Sequence, residues 1–125
     1  VGISGADGGL LRGTVVDPDL GFVAGSLSVE TALLKSTLLS GYIPVIAPVA
    51  IDSSQPSQLL NVNADTAAGA IATALGVDQL VFLTDVNGIL DSNGRLLDRV
   101  PLASAELQLS TDTTLIKLSS SIALT

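Results

Sequence analysis

The chain has 125 residues with five basic and twelve acidic side chains, a formal net charge of −7, and a composition that is 47% hydrophobic but only 2% aromatic. That charge opposes nonspecific contact with phosphate backbones and anionic lipids, and three rings (Phe22, Tyr42, Phe82) cannot build a stacking platform, so no nucleic-acid or membrane partner is expected. Cysteine and histidine are both absent, which removes disulfides, thiolate and imidazole metal sites and every nucleophile–histidine dyad. Chemistry must run on carboxylates, lysines, amides and hydroxyls.

The length suits one domain with a core of Leu, Val, Ile and Ala. No signal peptide is legible, and the longest apolar run, Tyr42 to Ile51, is too short to span a bilayer; a soluble cytoplasmic protein is the expectation. With no methionine anywhere, Val1 is not expected to be an intact translational start.

In chain order, Val1 to Ser4 reads as a strand and Gly5 to Gly9 as a turn, with Asp7 as a turn former. Leu10 to Val16 is a second extended stretch, broken by Asp17-Pro18-Asp19, and Leu20 to Leu27 returns as another strand, making residues 1–27 a hairpin-like excursion. Ser28 is the expected N-cap of a helix with Glu30 in its first turn, an apolar face of Leu33, Leu34, Leu38 and Leu39, and an end at Gly41. Ile43 to Ile51 reads as a buried strand restricted in pairing by Pro44 and Pro48, and residues 52–57 as an exposed loop.

A second helix is expected from Asn63, its N-cap, to about Leu75, with an apolar face of Ala67, Ala68, Ile71, Ala74 and Leu75. A buried strand at 79–84 should follow, then a turn at Asp91 to Gly94. Strand, helix, strand implies a right-handed crossover and a parallel sheet. After Arg95 the pattern weakens; Leu102 to Leu109 and Thr114 to Leu124 carry partial helical periodicity.

Two stretches could carry chemistry. Asn61-Val62-Asn63-Ala64-Asp65 opens a helix, where unpaired N–H groups and partial positive charge favour anionic oxygens. The same residues serve equally to start an ordinary helix, with Asp65 adding about 0.3–1 kcal/mol against the dipole. Thr84, Asp85, Asn87 and Gly88 would line the crevice at a strand end where ligands collect in open α/β sheets, or simply make a turn. No P-loop is present. Of the two lysines, Lys35 belongs to an exposed helix face, while Lys117 follows the polar turn Ser110 to Thr114 and is the candidate for stabilising a transferring phosphoryl group. Asp65 could hold lysines in place.

The stretches Gly5-Ala-Asp-Gly-Gly-Leu-Leu11, Asp19-Leu-Gly-Phe-Val23, Gly41-Tyr-Ile-Pro-Val-Ile-Ala47, Asn61-Val-Asn-Ala-Asp65 and Leu83-Thr-Asp-Val-Asn-Gly-Ile-Leu90 resemble, in order, the nucleotide-side portion of the bacterial acetylglutamate kinase group of the amino acid kinase family. The resemblance implies an α/β three-layer sandwich with a mainly parallel sheet, incomplete here because the family's amino-terminal half and last strands are not matched. It implies phosphoryl transfer from ATP, carried with Mg2+, to the side-chain carboxylate of N-acetyl-L-glutamate in arginine biosynthesis. No metal held by the protein's own residues is implied, and the family's habit of pairing subunits is compatible with a homo-oligomer.

By position, the resemblance makes Asn61 and Asn63 substrate-binding, and Asp65 and Lys117 catalytic. It places Thr84, Asp85, Val86, Asn87, Gly88, Ile89, Leu90, Thr111 and Asp112 at the nucleotide. The tail departs from the family at Thr113 and Thr114, where glycine is usual near the phosphates. A noncatalytic nucleotide-binding or folding module derived from such a kinase is the alternative.

Overall fold

A computed structural model describes residues 1–83 and 93–97. Its elements, in chain order, are β1 (Gly2–Ser4), β2 (Leu11–Val15), β3 (Ala24–Val29), α1 (Ala32–Leu39), β4 (Val45–Ala47), β5 (Val49–Asp52), β6 (Leu59–Asn61) and α2 (Ala64–Leu75). The fold is mixed α/β with parallel sheet elements. β1 and β4 pair in parallel with Ile3 opposite Ile46, and a four-stranded sheet runs β3-β2-β5-β6, parallel between β2 and β5 and antiparallel at its other two pairings.

The hairpin expected in the first quarter forms between β2 and β3. Its turn is built by Asp17, whose carboxylate accepts the Asp19 N–H at 2.9 Å, by Pro18, and by Gly21 at φ 72°. The returning strand begins at Ala24 rather than Leu20, because residues 18–20 are taken up by a 3-10 turn. Pairing with β2 also claims Ser28, which lies opposite Arg12, so the helix cap expected there is displaced. Helix α1 starts at Ala32 behind Thr31, and Glu30 accepts the Ala32 N–H through Oε1 at 3.1 Å. Ser40 and Gly41, at φ 80°, end it as the glycine suggests. Of its leucines, Leu34 is buried and Leu33 partly so; Leu38 and Leu39 stand exposed.

The strand expected over 43–51 is two strands in two sheets. Pro48, with no N–H to give, separates β4 from β5, and its carbonyl instead accepts the Val62 N–H at 3.1 Å. Asp52 closes β5 and is buried, not part of an exposed loop; Oδ1 accepts the Ser54 N–H at 2.8 Å. α2 runs as its pattern requires and stops at Gly76 in the left-handed conformation, although Ala74 faces solvent. Residues 79–83 form no strand, and Leu83 is 96% exposed. An apolar run supplies a reason for burial but not a sheet edge to pair with, and none receives it among the described residues. No helix among these residues is long and apolar enough to cross a membrane.

The core is one cluster in which Leu10, Leu11, Leu34 and Leu60 are fully enclosed, with Ile3, Ala24, Ala50, Val62 and Ala67 around them. Each enclosed leucine contributes roughly 1.5–3 kcal/mol by leaving water. Where the two sheets meet, Gly5 donates its N–H to the Ala47 carbonyl at 3.0 Å and accepts the Leu11 N–H at 2.6 Å. A Cβ there would fall on the Val49 carbonyl oxygen and within 2.6 Å of Leu11 Cδ1. Gly5→Ala is therefore expected to lower stability by about 3 kcal/mol or more, since the obstructing atom is backbone; the midpoint of urea unfolding measures it.

Candidate functional site

Asn61 is the last residue of β6, opposite Val49, and its N–H donates to the Phe22 carbonyl at 2.8 Å. A parallel bridge with Val23 extends that contact, so the hairpin's return strand reaches round to the end of β6. Val62 is buried and turned inward. Successive side chains of extended backbone alternate, and Asn63 keeps an extended conformation (φ −60°, ψ 130°), so Asn61 and Asn63 project to the side opposite Val62. Both are exposed.

Asn63 caps α2 as its position predicts. Its Oδ1 accepts from the N–H groups of Asp65 at 3.0 Å and Thr66 at 3.1 Å and from the Thr66 hydroxyl at 3.4 Å. This leaves the Nδ2 hydrogens of Asn63, together with the whole side-chain amide of Asn61, without a hydrogen-bond partner among the described residues. Asp65 sits half-buried in the first turn of α2, and its carboxylate likewise has no ion-pair partner among these residues. Amide donors and a carboxylate thus share one helix start, beside partial positive charge from the backbone. The arrangement can hold an anionic group by hydrogen bonds and can orient a neighbouring ammonium group. No group of three or more acidic side chains able to hold a metal occurs among the described residues.

Behind this helix start lies a cavity of about 300 Å³, bounded by Ile46 and Pro48 on one side and by Ala64, Ala68 and Ile71 of α2 on the other. Its wall is the alanine-rich face legible in the sequence. The part of Phe22 and Val23 in fixing Asn61 was not legible, because the contact joins residues far apart in the chain. The other site residues named from the sequence, Thr84, Asp85, Val86, Asn87, Gly88, Ile89, Leu90, Thr111, Asp112 and Lys117, lie outside the described residues.

The Amino acid kinase family matches residues 1–125, and the chain belongs to it. Among individual relatives, the acetylglutamate kinase of Geobacillus stearothermophilus is 53% identical over 91 residues, which is 72% of this chain and 34% of that protein. The acetylglutamate kinase of Bacillus cereus (strain ATCC 10987 / NRS 248) is 48% identical over 99 residues, 79% of this chain and 37% of that protein. The chain thus spans about a third of the length of these relatives. Among solved structures, smu.665 from Streptococcus mutans UA159 superposes with a TM-score of 0.70 at 27% identity, over 82% of this chain and 41% of that one. N-acetylglutamate synthase from Neisseria gonorrhoeae, complexed with coenzyme A and L-arginine, shares the fold with a TM-score of 0.68 at 24% identity, over 90% of this chain and 26% of that one.

Removing the cap should be felt in the fold. Asn63→Ala is expected to cost about 1 kcal/mol, whereas Asn63→Asp, which keeps an acceptor oxygen for both backbone N–H groups, should restore most of it. Urea midpoints of the two variants compared with the parent chain measure the difference.

Proposed function

We propose that this chain is the acceptor- and nucleotide-side portion of an enzyme that phosphorylates the side-chain carboxylate of N-acetyl-L-glutamate with ATP. The observation that carries this reading is the Asn61–Asp65 helix start, with two outward amides and a free carboxylate, in a chain about half identical to acetylglutamate kinases over its matched part. Asn61 and the Nδ2 of Asn63 donate to the carboxylate or carbonyl oxygens of the acyl amino acid. Asp65 attracts and aligns ammonium groups at the phosphoryl position, Lys117 among them, while keeping its own charge.

The reaction needs no covalent enzyme intermediate. A carboxylate oxygen of the acceptor attacks the γ-phosphorus in line, the bond to the β-bridging oxygen breaks, and ADP leaves as the acyl phosphate forms. Magnesium enters with the nucleotide, whose phosphates supply its oxygens; Asp65 is the acidic side chain that the described helix start offers. Positioning and charge stabilisation do the catalysis.

Mixing the chain with ATP, Mg2+ and N-acetyl-L-glutamate and following ADP tests turnover. No ADP at any protein concentration overturns activity of this chain by itself, and heat from an ATP-Mg2+ titration without turnover would favour the noncatalytic module. Asn61→Ala is expected to weaken acceptor binding about tenfold, the loss of about 1.4 kcal/mol, with an unfolding midpoint shifted by less than about 0.5 kcal/mol because its side chain is exposed. Lys117→Ala should lower kcat far more than it raises KM, as expected for an interaction that strengthens when charge develops in the transition state; equal effects would contradict that role.

A further inference from the structure

One face of the β1–β4 pair is apolar and bare. Ile3 and Ile46, opposite each other, turn toward the core and the cavity, so Gly2, Val45 and Ala47 face the other way. That side is open. Val45 is 68% exposed, and a Cβ built on Gly2 would meet nothing within 4 Å. The surface continues through Val1, Ile43, Tyr42 and Leu39, all exposed, Ile43 at 80% and Leu39 at 88%. Hydrogen bonds hold its parts together: the Val1 amino group donates to the Ile43 carbonyl at 2.7 Å, the Val45 N–H to the Val1 carbonyl at 2.8 Å, and the Tyr42 N–H to the Thr37 carbonyl at 3.2 Å.

No charged side chain occurs between Lys35 and Asp52, nor from Val1 to Ala6, in a chain that carries twelve acidic residues. Parallel strands are covered on both faces in nearly all proteins, and a two-stranded sheet left alone in water is marginal. An exposed, uncharged, ordered apolar face of this kind marks an interaction surface.

We propose that this face is the docking surface for the portion of an amino acid kinase that these 125 residues do not span, which lays an apolar, uncharged layer over Val45, Ile43 and Leu39. Two observations name that occupant. The chain matches 34% of the Geobacillus stearothermophilus acetylglutamate kinase, and it superposes on 41% of the Streptococcus mutans structure, so in each case more than half of the protein lies outside the shared part. A second copy of this chain is the poorer occupant, because each copy brings a formal charge of −7 to the contact. The proposal rests on family membership and surface, not on turnover.

The experiment co-expresses residues 1–125 with the rest of the Geobacillus stearothermophilus acetylglutamate kinase, supplied as the pieces flanking its matched 91 residues. Expected are co-elution on size exclusion and slowing of amide exchange by at least tenfold at Gly2–Ser4 and Val45–Ala47. Val45→Asp and, separately, Ile43→Asp should abolish co-elution while circular dichroism of each variant matches the parent chain; Thr14→Asp, on the exposed side of the hairpin, should leave it intact. Failure to co-elute overturns the proposal, as does co-elution that leaves those amides unprotected or survives both aspartates. Self-association of the chain alone, with the same amides protected, would assign the face to a second copy and overturn it too.

Discussion

The seam at Gly5 and Pro48 governs the rest of the structure. β1 and β4 run side by side, both chains leave that sheet at this level, and their continuations β2 and β5 run side by side again in the next one. One strand makes the passage through a six-residue turn and the other through a single proline. Gly5 allows it by letting the Val49 carbonyl and the Leu11 side chain close over a position with no Cβ, and Pro48 by having no N–H that would demand a partner. The carbonyl left at Pro48 then takes the N–H of Val62, which sets the level at which α2 begins. The position of the amides at 61 and 63 therefore follows from the packing at residue 5.

From that level outward the site is assembled from both ends of the chain segment. The hairpin turn, through Phe22, fixes the backbone of Asn61, and the helix fixes Asn63 by its own N–H groups. Val62, buried between them, pulls the backbone inward and turns its two neighbours outward. A stretch that reads as five adjacent residues is held by contacts to residues 22 and 48 and to the first turn of α2.

Local chemistry was legible where one residue's own groups decide the outcome. Asn63 carries the oxygen that two helix N–H groups need, Gly41 and Gly76 supply the left-handed turn that stops a helix, and Asp17-Pro18 can only turn. Legibility failed where two structures wanted the same residue. Ser28 is as good a cap as Thr31, but the strand opposite claims it, and no local property of Ser28 shows this. Asp52 reads as a loop residue by polarity and is buried because its carboxylate closes the turn on Ser54. The apolar run at 79–83 has the composition of a strand, but a strand is a relation between two segments, and composition describes one. Within the site the cap was readable, and the long-range tie from Asn61 to Phe22 was not.

Asn63 has a further consequence for recognition. A primary amide can be turned over by half a rotation, exchanging its two ends at little cost, and a free asparagine side chain presents either. Here the helix removes the ambiguity: the oxygen is held inward by two N–H groups, so the nitrogen can only look out. Folding has already frozen the rotamer, and a ligand meeting that nitrogen is spared the ordering of a side chain, roughly 0.5–1.5 kcal/mol. The helix start thus acts as a template that selects which polarity of guest is welcome, accepting lone pairs and turning away hydrogens.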